Sequence, residues 1–185
     1  MTTFTESILE VHHRLDDAHI PHAFGGALAL LFCTGTPRTT ADVDVNVFVP
    51  LRRVDEVLEA LSGLVEVDDM ARLQLHRDGQ ARLWLDTTAI DVFCNTTPFH
   101  ERLHDETVHH ELLGEMLPFL SCDNLTVFKA FFDRRRDWAD IEEMVRAEAL
   151  SVDYVAGVLV EYFGAHDHRV ADLRAIEAEI LAENE

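Results

Sequence analysis

Apolar residues at Ile8, Val11 and Leu15 keep the three- and four-residue spacing of one helix face, so residues 5–18 are predicted to form an amphipathic helix. A short strand is expected around 21–24, and Gly25-Gly26 punctuates the chain after it. Residues 26–34 (GALALLFCT) are apolar all round, as a buried helix is, and Gly35 and Pro37 close that helix. After a threonine-rich loop, 42–49 (DVDVNVFV) alternates with period two and is dense in valine, which predicts a strand ended by Pro50. Helical spacing returns over 51–62. Short β-type runs follow at 72–77 and 80–86, with Asp78-Gly79 expected as the hairpin turn between them, and AIDVFCN at 89–95 reads as another buried strand. A short helix is expected over 98–105 and one or two strands within 107–120. From Ser121 the pattern is helical, over 122–133, 137–148, 152–163 and 168–183.

Strands and helices therefore mix in residues 1–120 and helices alone fill 121–185. The expectation is an α/β (α+β) fold: a mixed sheet with flanking helices, then a C-terminal helical lobe packed on it, with the cleft between the lobes as the default site. At 185 residues, with 48% hydrophobic and 27% charged residues, the composition is that of a folded chain and excludes disordered and low-complexity classes. No apolar run approaches the roughly 18 residues that a membrane span requires, and the N-terminal segment lacks the basic start and apolar core of a signal peptide. Cys33, Cys94 and Cys122 are odd in number and far apart, which fits neither a disulfide framework nor a CxxC metal knuckle. A reducing cytoplasm is the expected compartment.

Charge narrows the picture further. The formal net charge is −20, the acidity is spread along the whole chain, and Lys129 is the only lysine among 15 basic residues. Such a field repels polyanions and attracts cationic small molecules or a basic protein. Within it, Asp42 and Asp44 lie two apart on a predicted strand, so they project from one face while Val43 and Val45 bury on the other. Carboxylates held within about 7 Å by strand geometry repel each other unless a cation sits between them, and hard oxygen donors suit Mg²⁺. Asp91, set between Ile90 and Val92 in a second strand, is costly there unless it faces a site. Three such aspartates could hold two metals, which would stabilise both oxygens of a phosphoryl displacement. The Gly25-Gly26 helix start would offer backbone N–H groups and a dipole end to phosphate. Taken singly, a Gly-Gly turn is most often only a turn, and an aspartate pair on a strand most often a surface feature.

Together, GGALALLFCTGTPRTTADVDVNVFV and the later AIDVF resemble the nucleotidyltransferase superfamily: a Gly-Gly or Gly-Ser helix start, a DxD strand and a third aspartate. More narrowly, RTTADVD and LTVFKAFFDRRRDWADIEEM are similar to the AbiEii and MenT type of nucleotidyltransferase toxin. The resemblance spans roughly residues 23–145. It implies a nucleotidyltransferase-fold sheet in which Gly25 and Gly26 hold the triphosphate of an NTP. Asp42, Asp44 and Asp91 are then the catalytic, Mg²⁺-binding carboxylates, with Asp91 as general base, and Lys129 meets the nucleotide phosphates. Asp137 and Asp140 match the later acidic segment. Arg38 could reach a phosphate bidentately or form a loop salt bridge. Thr39 and Thr40 sit beside the metal strand, where phosphate on Thr40 would obstruct the nucleotide. The acceptor implied is a tRNA 3′ end, with a cognate antitoxin as partner. The acidic charge argues for a rival, an antibiotic nucleotidyltransferase with a cationic aminoglycoside-like acceptor, and a catalytically silent binding module is the third reading.

The remaining signals are weaker. Arg134-Arg135-Arg136 could track a polyphosphate or simply complement a helix C-terminus. Among 11 histidines, His100 and His104 have helical spacing, yet no HExxH is present, and histidines of so acidic a chain are more often solvated or salt-bridged. His104-Asp105 and His166-Asp167 raise a His-Asp phosphohydrolase, which needs the pair within a helical scaffold with further ligands, whereas Asp105 is followed by a β-like stretch.

Overall fold

A computed structural model of the chain describes residues 2–183. Its six-stranded sheet has the order β3-β4-β2-β1-β6-β5, built from β1 (His22–Phe24), β2 (Asp42–Pro50), β3 (Gln80–Leu85), β4 (Thr88–Asn95), β5 (Val108–Leu112) and β6 (Glu115–Phe119). The sheet is mixed: β2 runs parallel to β4 and β1 parallel to β6, while the other neighbours are antiparallel. Helices α1 (Phe4–Asp17), α2 (Gly26–Thr34), α3 (Val54–Ala60), α4 (Asp69–Asp78) and α5 (Pro98–Arg102) interleave with the strands. Helices α6 (Cys122–Phe132), α7 (Arg135–Arg146), α8 (Val152–Phe163) and α9 (His168–Glu183) follow. The expected mixed α/β architecture is what the chain forms.

The chain divides into two compact units. The sheet unit holds the residues up to Leu28 together with Arg38–Leu120, and the helical unit holds Ala29–Pro37 and the residues from Ser121 onward. In the sheet unit, α1 opens with a capping box in which Thr3 accepts from the Glu6 N–H and Glu6 returns the bond, and it buries Ile8, Val11 and Leu15. Val43, Val45, Val47, Ile90, Val92, Leu83 and Phe119 are fully buried and form the floor of the sheet. In the helical unit, Ser121 caps α6 and Ser151 caps α8, each accepting from a backbone N–H three residues on. There α6 packs on α7 and α8, and α9 on α7 and α8.

Two expectations are corrected. Residues 72–77 are helical, within α4, and Asp78-Gly79 is no hairpin turn: Gly79, at φ +69°, is the left-handed cap of that helix. The Asp68 carboxylate accepts the Ala71 N–H at 2.6 Å and starts a helix. That helix buries Ala71 and Leu75, one turn apart, and leaves Leu73 exposed. The second correction concerns the cysteines. Cys33 near the end of α2 and Cys122 at the start of α6 form a disulfide, Cα to Cα 5.6 Å across 89 residues of sequence, so their wide spacing hid a contact made only by folding. The cysteine count therefore no longer speaks for a reducing compartment. Among the described residues, no helix is long and apolar enough to cross a membrane.

Two buried histidines in the sheet unit give the fold an acid-sensitive element. The Nδ1 atom of His22 lies 2.9 Å from the Ile20 carbonyl, which can only accept, so Nδ1 carries the proton. Nε2 of neutral His22 then accepts from His12 Nδ1 at 2.9 Å. Burial pushes the pKa of His22, and likewise of His100, down to about 4. Above about pH 6.5 both are neutral whether folded or unfolded and contribute no pH dependence. Between pH 6.5 and 4 the unfolded chain takes up protons that the folded chain refuses, so stability falls as pH falls, by up to about 3 kcal/mol per histidine. Urea unfolding followed between pH 7.5 and 4.5 is expected to show this slope, reduced in His22→Gln; an unaltered slope in that variant would remove His22 from the account.

Candidate active site

The site is assembled by the register of three strands. Asp44 on β2 faces Asp91 on β4, and Asp91 in turn faces Arg82 on β3, so the three make one row across the sheet. One row away, Asp42 faces Ala89 and Ala89 faces Trp84. Side chains two apart share a face, so Asp42 and Asp44 stand together with Asp91, Arg82 and the half-exposed Trp84 on one side of the sheet. The alternation along β2 and β4 does this: Val43, Val45, Ile90 and Val92 take the opposite face and are buried.

Helix α2 closes one end of the row. The Gly25 N–H donates to the Asp44 backbone carbonyl at 2.9 Å, fixing the strand-to-helix turn beside the DxD strand. Gly26, the first residue of α2, has φ +52°, and a Cβ there would lie 1.8 Å from Asp44 Oδ2 and 2.6 Å from its Cγ. The missing side chain is thus what lets the Asp44 carboxylate lie against the helix start, where the positive end of the dipole favours an anion. At Gly25 a Cβ would come within 3.0 Å of Asn46 Nδ2. Asn46, buried and on the same face as the aspartates, belongs to this corner although nothing in the sequence marked it.

Thr40 meets Asp42: its Oγ1 donates to Oδ1 at 2.5 Å. Arg38 lies on the loop that joins α2 to β2, four residues before Asp42, and the exposed Thr39 follows it. Asp91 is held by Arg82, which the sequence reading missed. The guanidinium forks onto it, Nε to Oδ1 at 2.7 Å and Nη2 to Oδ2 at 2.6 Å, and the same Nη2 reaches Asp42 Oδ2 at 3.4 Å. These contacts with Asp91, and the nearby charges of Asp42 and Asp44, hold the Arg82 pKa well above its usual value. The exposed-buried alternation of β3 (Gln80 out, Ala81 in, Arg82 out) could have put Arg82 on the acid face, had its pairing with β4 been known.

A divalent cation fits part of this set. Asp42 and Asp44 are hard oxygen donors on one strand face, the chemistry Mg²⁺ takes. Asp91 has both oxygens on Arg82, and among the described residues no group of three or more His, Cys, Asp or Glu side chains is placed to hold a metal. In the arrangement described, Asp91 is paired with Arg82 rather than open to a cation.

In the helical unit, Lys129 and Asp140 come together, with Asp137 beside them. Lys129 Nζ donates to Asp140 Oδ2 at 2.5 Å and lies 3.7 Å from Asp137 Oδ1, all three residues being buried. Asp137 also accepts from Arg134, Nε to Oδ2 at 2.6 Å and Nη2 to Oδ1 at 3.1 Å, and from the Arg134 backbone N–H. One residue of the basic run is thereby tied to the first turn of α7 and stacks over Phe132.

Known proteins offer fold-level likeness. No protein-family model and no curated protein sequence matches the chain. Among solved structures, the antibiotic-resistance factor ANT(2″)-Ia in solution is similar at a TM-score of 0.53 and 14% identity, over 96% of this chain and 91% of that one. An antigenic nucleotidyltransferase-like protein from Paracoccidioides brasiliensis gives 0.51 at 16% identity, over 96% and 85%. ANT(2″)-Ia in complex with adenylyl-2″-tobramycin gives 0.50 at 14%, over 96% and 97%. The chain therefore has the nucleotidyltransferase fold.

The geometry makes two stability predictions. Gly26→Ala and Gly35→Ala both place a side chain at positive φ, costing about 1 kcal/mol, but a Cβ at Gly35 meets nothing within 4 Å. Unfolding free energies are expected to fall further for Gly26→Ala; equal losses would mean that Asp44 simply moves aside. Lys129→Met leaves two buried carboxylates without their ammonium and is expected to cost about 3–5 kcal/mol. Adding Asp140→Asn should recover part of that loss in the same denaturation assay.

Proposed function

We propose that this chain is an NTP-dependent nucleotidyltransferase, moving a nucleoside monophosphate to an acceptor hydroxyl with release of pyrophosphate. The observation that carries the reading is the Asp44 carboxylate seated against the Gly26 helix start, with Asp42 and Asp91 beside it on the same sheet face. In this reading Gly25, Gly26 and the first N–H groups of α2 receive the triphosphate, with Arg38 and Thr40 as further nucleotide contacts. Asp42 and Asp44 hold Mg²⁺, which neutralises phosphate charge and lowers the pKa of the acceptor hydroxyl when bound. Asp91, once released from Arg82, accepts the proton of the acceptor hydroxyl. The acceptor oxygen bonds to the α-phosphorus, and the bond from that phosphorus to the bridging oxygen breaks, so pyrophosphate carries the electron pair away.

Two acceptors are in play. The AbiEii- and MenT-like sequence elements support a tRNA 3′ end, with the chain acting as the toxin of a toxin–antitoxin pair in the cytoplasm. The net charge of −20 and the fold shared with ANT(2″)-Ia favour a cationic aminoglycoside-like acceptor instead.

Incubation with Mg²⁺, each α-labelled NTP in turn, and either total tRNA or tobramycin tests both. Label on one acceptor, lost in Asp42→Ala and Asp44→Ala by at least about a hundredfold, is the expected result. Transfer retained in both variants would overturn the assignment of the DxD pair, and absence of transfer to any acceptor would favour a silent binding module.

A further inference from the structure

Three carboxylates on one sheet face are an electrostatic problem before any nucleotide arrives. Asp44 and Asp91 are register partners on neighbouring strands, about 4.8 Å apart by sheet spacing. Asp42 is two residues along β2, about 7 Å away by strand rise. Arg82 answers part of this repulsion, and its placement is specific. Its Cα faces that of Asp91 across the β3–β4 ladder, so the fork closes on Asp91 directly. The residue between Trp84 and Asp42 is Ala89, whose single methyl leaves the diagonal open for Nη2 to reach Asp42. Asp91 is mostly covered, at 18% side-chain exposure, whereas Arg82 is 49% and Asp42 40% exposed. The guanidinium therefore lies over the carboxylates from the solvent side.

We propose that Arg82 is a resident cation that competes with the divalent metal: it bridges Asp91 and Asp42, and a metal draws on these carboxylates only as the guanidinium lets go. The inference rests on the reading of Asp42 and Asp44 as cation ligands. An exposed ion pair is weakly held and a forked charge-assisted one more strongly. The competition is thus strong enough to measure and weak enough for a divalent ion to overcome. Arg82 acts on the site as a positioning residue, setting when Asp91 is available as a base. In the sequence it falls outside the DxD and third-aspartate elements.

The test needs no turnover. Mn²⁺ binding to the intact chain is titrated by electron paramagnetic resonance for wild type, Arg82→Gln and Arg82→Met, each with and without Asp44→Asn. Removal of Arg82 is expected to tighten Mn²⁺ binding about three- to tenfold, and Asp44→Asn is expected to abolish it in every background. Equal or weaker binding without Arg82, still dependent on Asp44, overturns the competition and leaves the metal ligands standing. Binding indifferent to Asp44, or absent throughout, overturns the ligand reading and the competition with it. A readout on wild type covers the case in which the variants misfold: the Arg82 Nε–H proton resonance should exchange slowly in the metal-free protein and lose that protection with saturating Mg²⁺. A resonance unmoved by Mg²⁺ overturns the proposal.

Discussion

The carboxylate of Asp44 lies where the backbone of Gly26 leaves no space for a Cβ, and the layout of the site depends on that approach. It places the second aspartate of the DxD pair at the positive end of α2, and the Gly25 N–H bond to the Asp44 carbonyl fixes the turn from the same side. Once Asp44 is fixed, strand periodicity does the rest: Asp42 must share its face, Val43 and Val45 must bury, and the parallel partner β4 must present Asp91 alongside. A one-residue slip of β4 would put Ile90 or Val92 on this face and bury a carboxylate. The apolar floor of the sheet therefore sets the register of the acid row, because sliding it would expose side chains that are now fully covered.

The elements read most easily from the sequence are those whose signal is local. The period of Ile8, Val11 and Leu15 and the valine alternation of β2 each depend on neighbours within a few residues. So does the Gly-Gly and DxD pair, since the strand itself puts both aspartates on one face. In α4, Ala71, Leu73 and Leu75 fit a two-residue alternation, while Ala71 and Leu75 alone fit a helical turn. Which period applies was decided by the Asp68 cap, a single hydrogen bond. The disulfide of Cys33 with Cys122 and the fork of Arg82 on Asp91 were illegible for another reason. Both are side-chain meetings fixed by tertiary contacts, one across 89 residues and the other across a β-ladder. Nothing in the residues themselves says that they meet.

Lys129 illustrates how one residue type supports two chemistries. It is the only lysine of the chain, and the resemblance implies a phosphate contact for it. Its ammonium is buried against Asp140, with Asp137 close by. A buried ammonium needs such partners, because an uncompensated one would cost several kcal/mol. The same interaction explains why two aspartates of the acidic segment are buried on α7 at all, and why Arg134 turns back onto Asp137 to share the load. Any encounter of Lys129 with a phosphate would therefore exchange one anion for another and leave Asp140 to be satisfied in its place.

Net charge gives the Arg82 arrangement a further meaning. A chain at −20 raises the local concentration of every cation near it, and a bare row of three carboxylates would be among its most attractive places. A guanidinium already in that row sets a threshold: weakly attracted cations must displace a two-point contact on Asp91 as well as a third on Asp42. Under the proposed competition, a small divalent ion would pass the threshold because two charges in one coordination sphere gain more from paired carboxylates than one delocalised charge does. On that proposal the acidity of the chain and the arginine in its acid row are complementary: the first draws cations in, and the second selects among them.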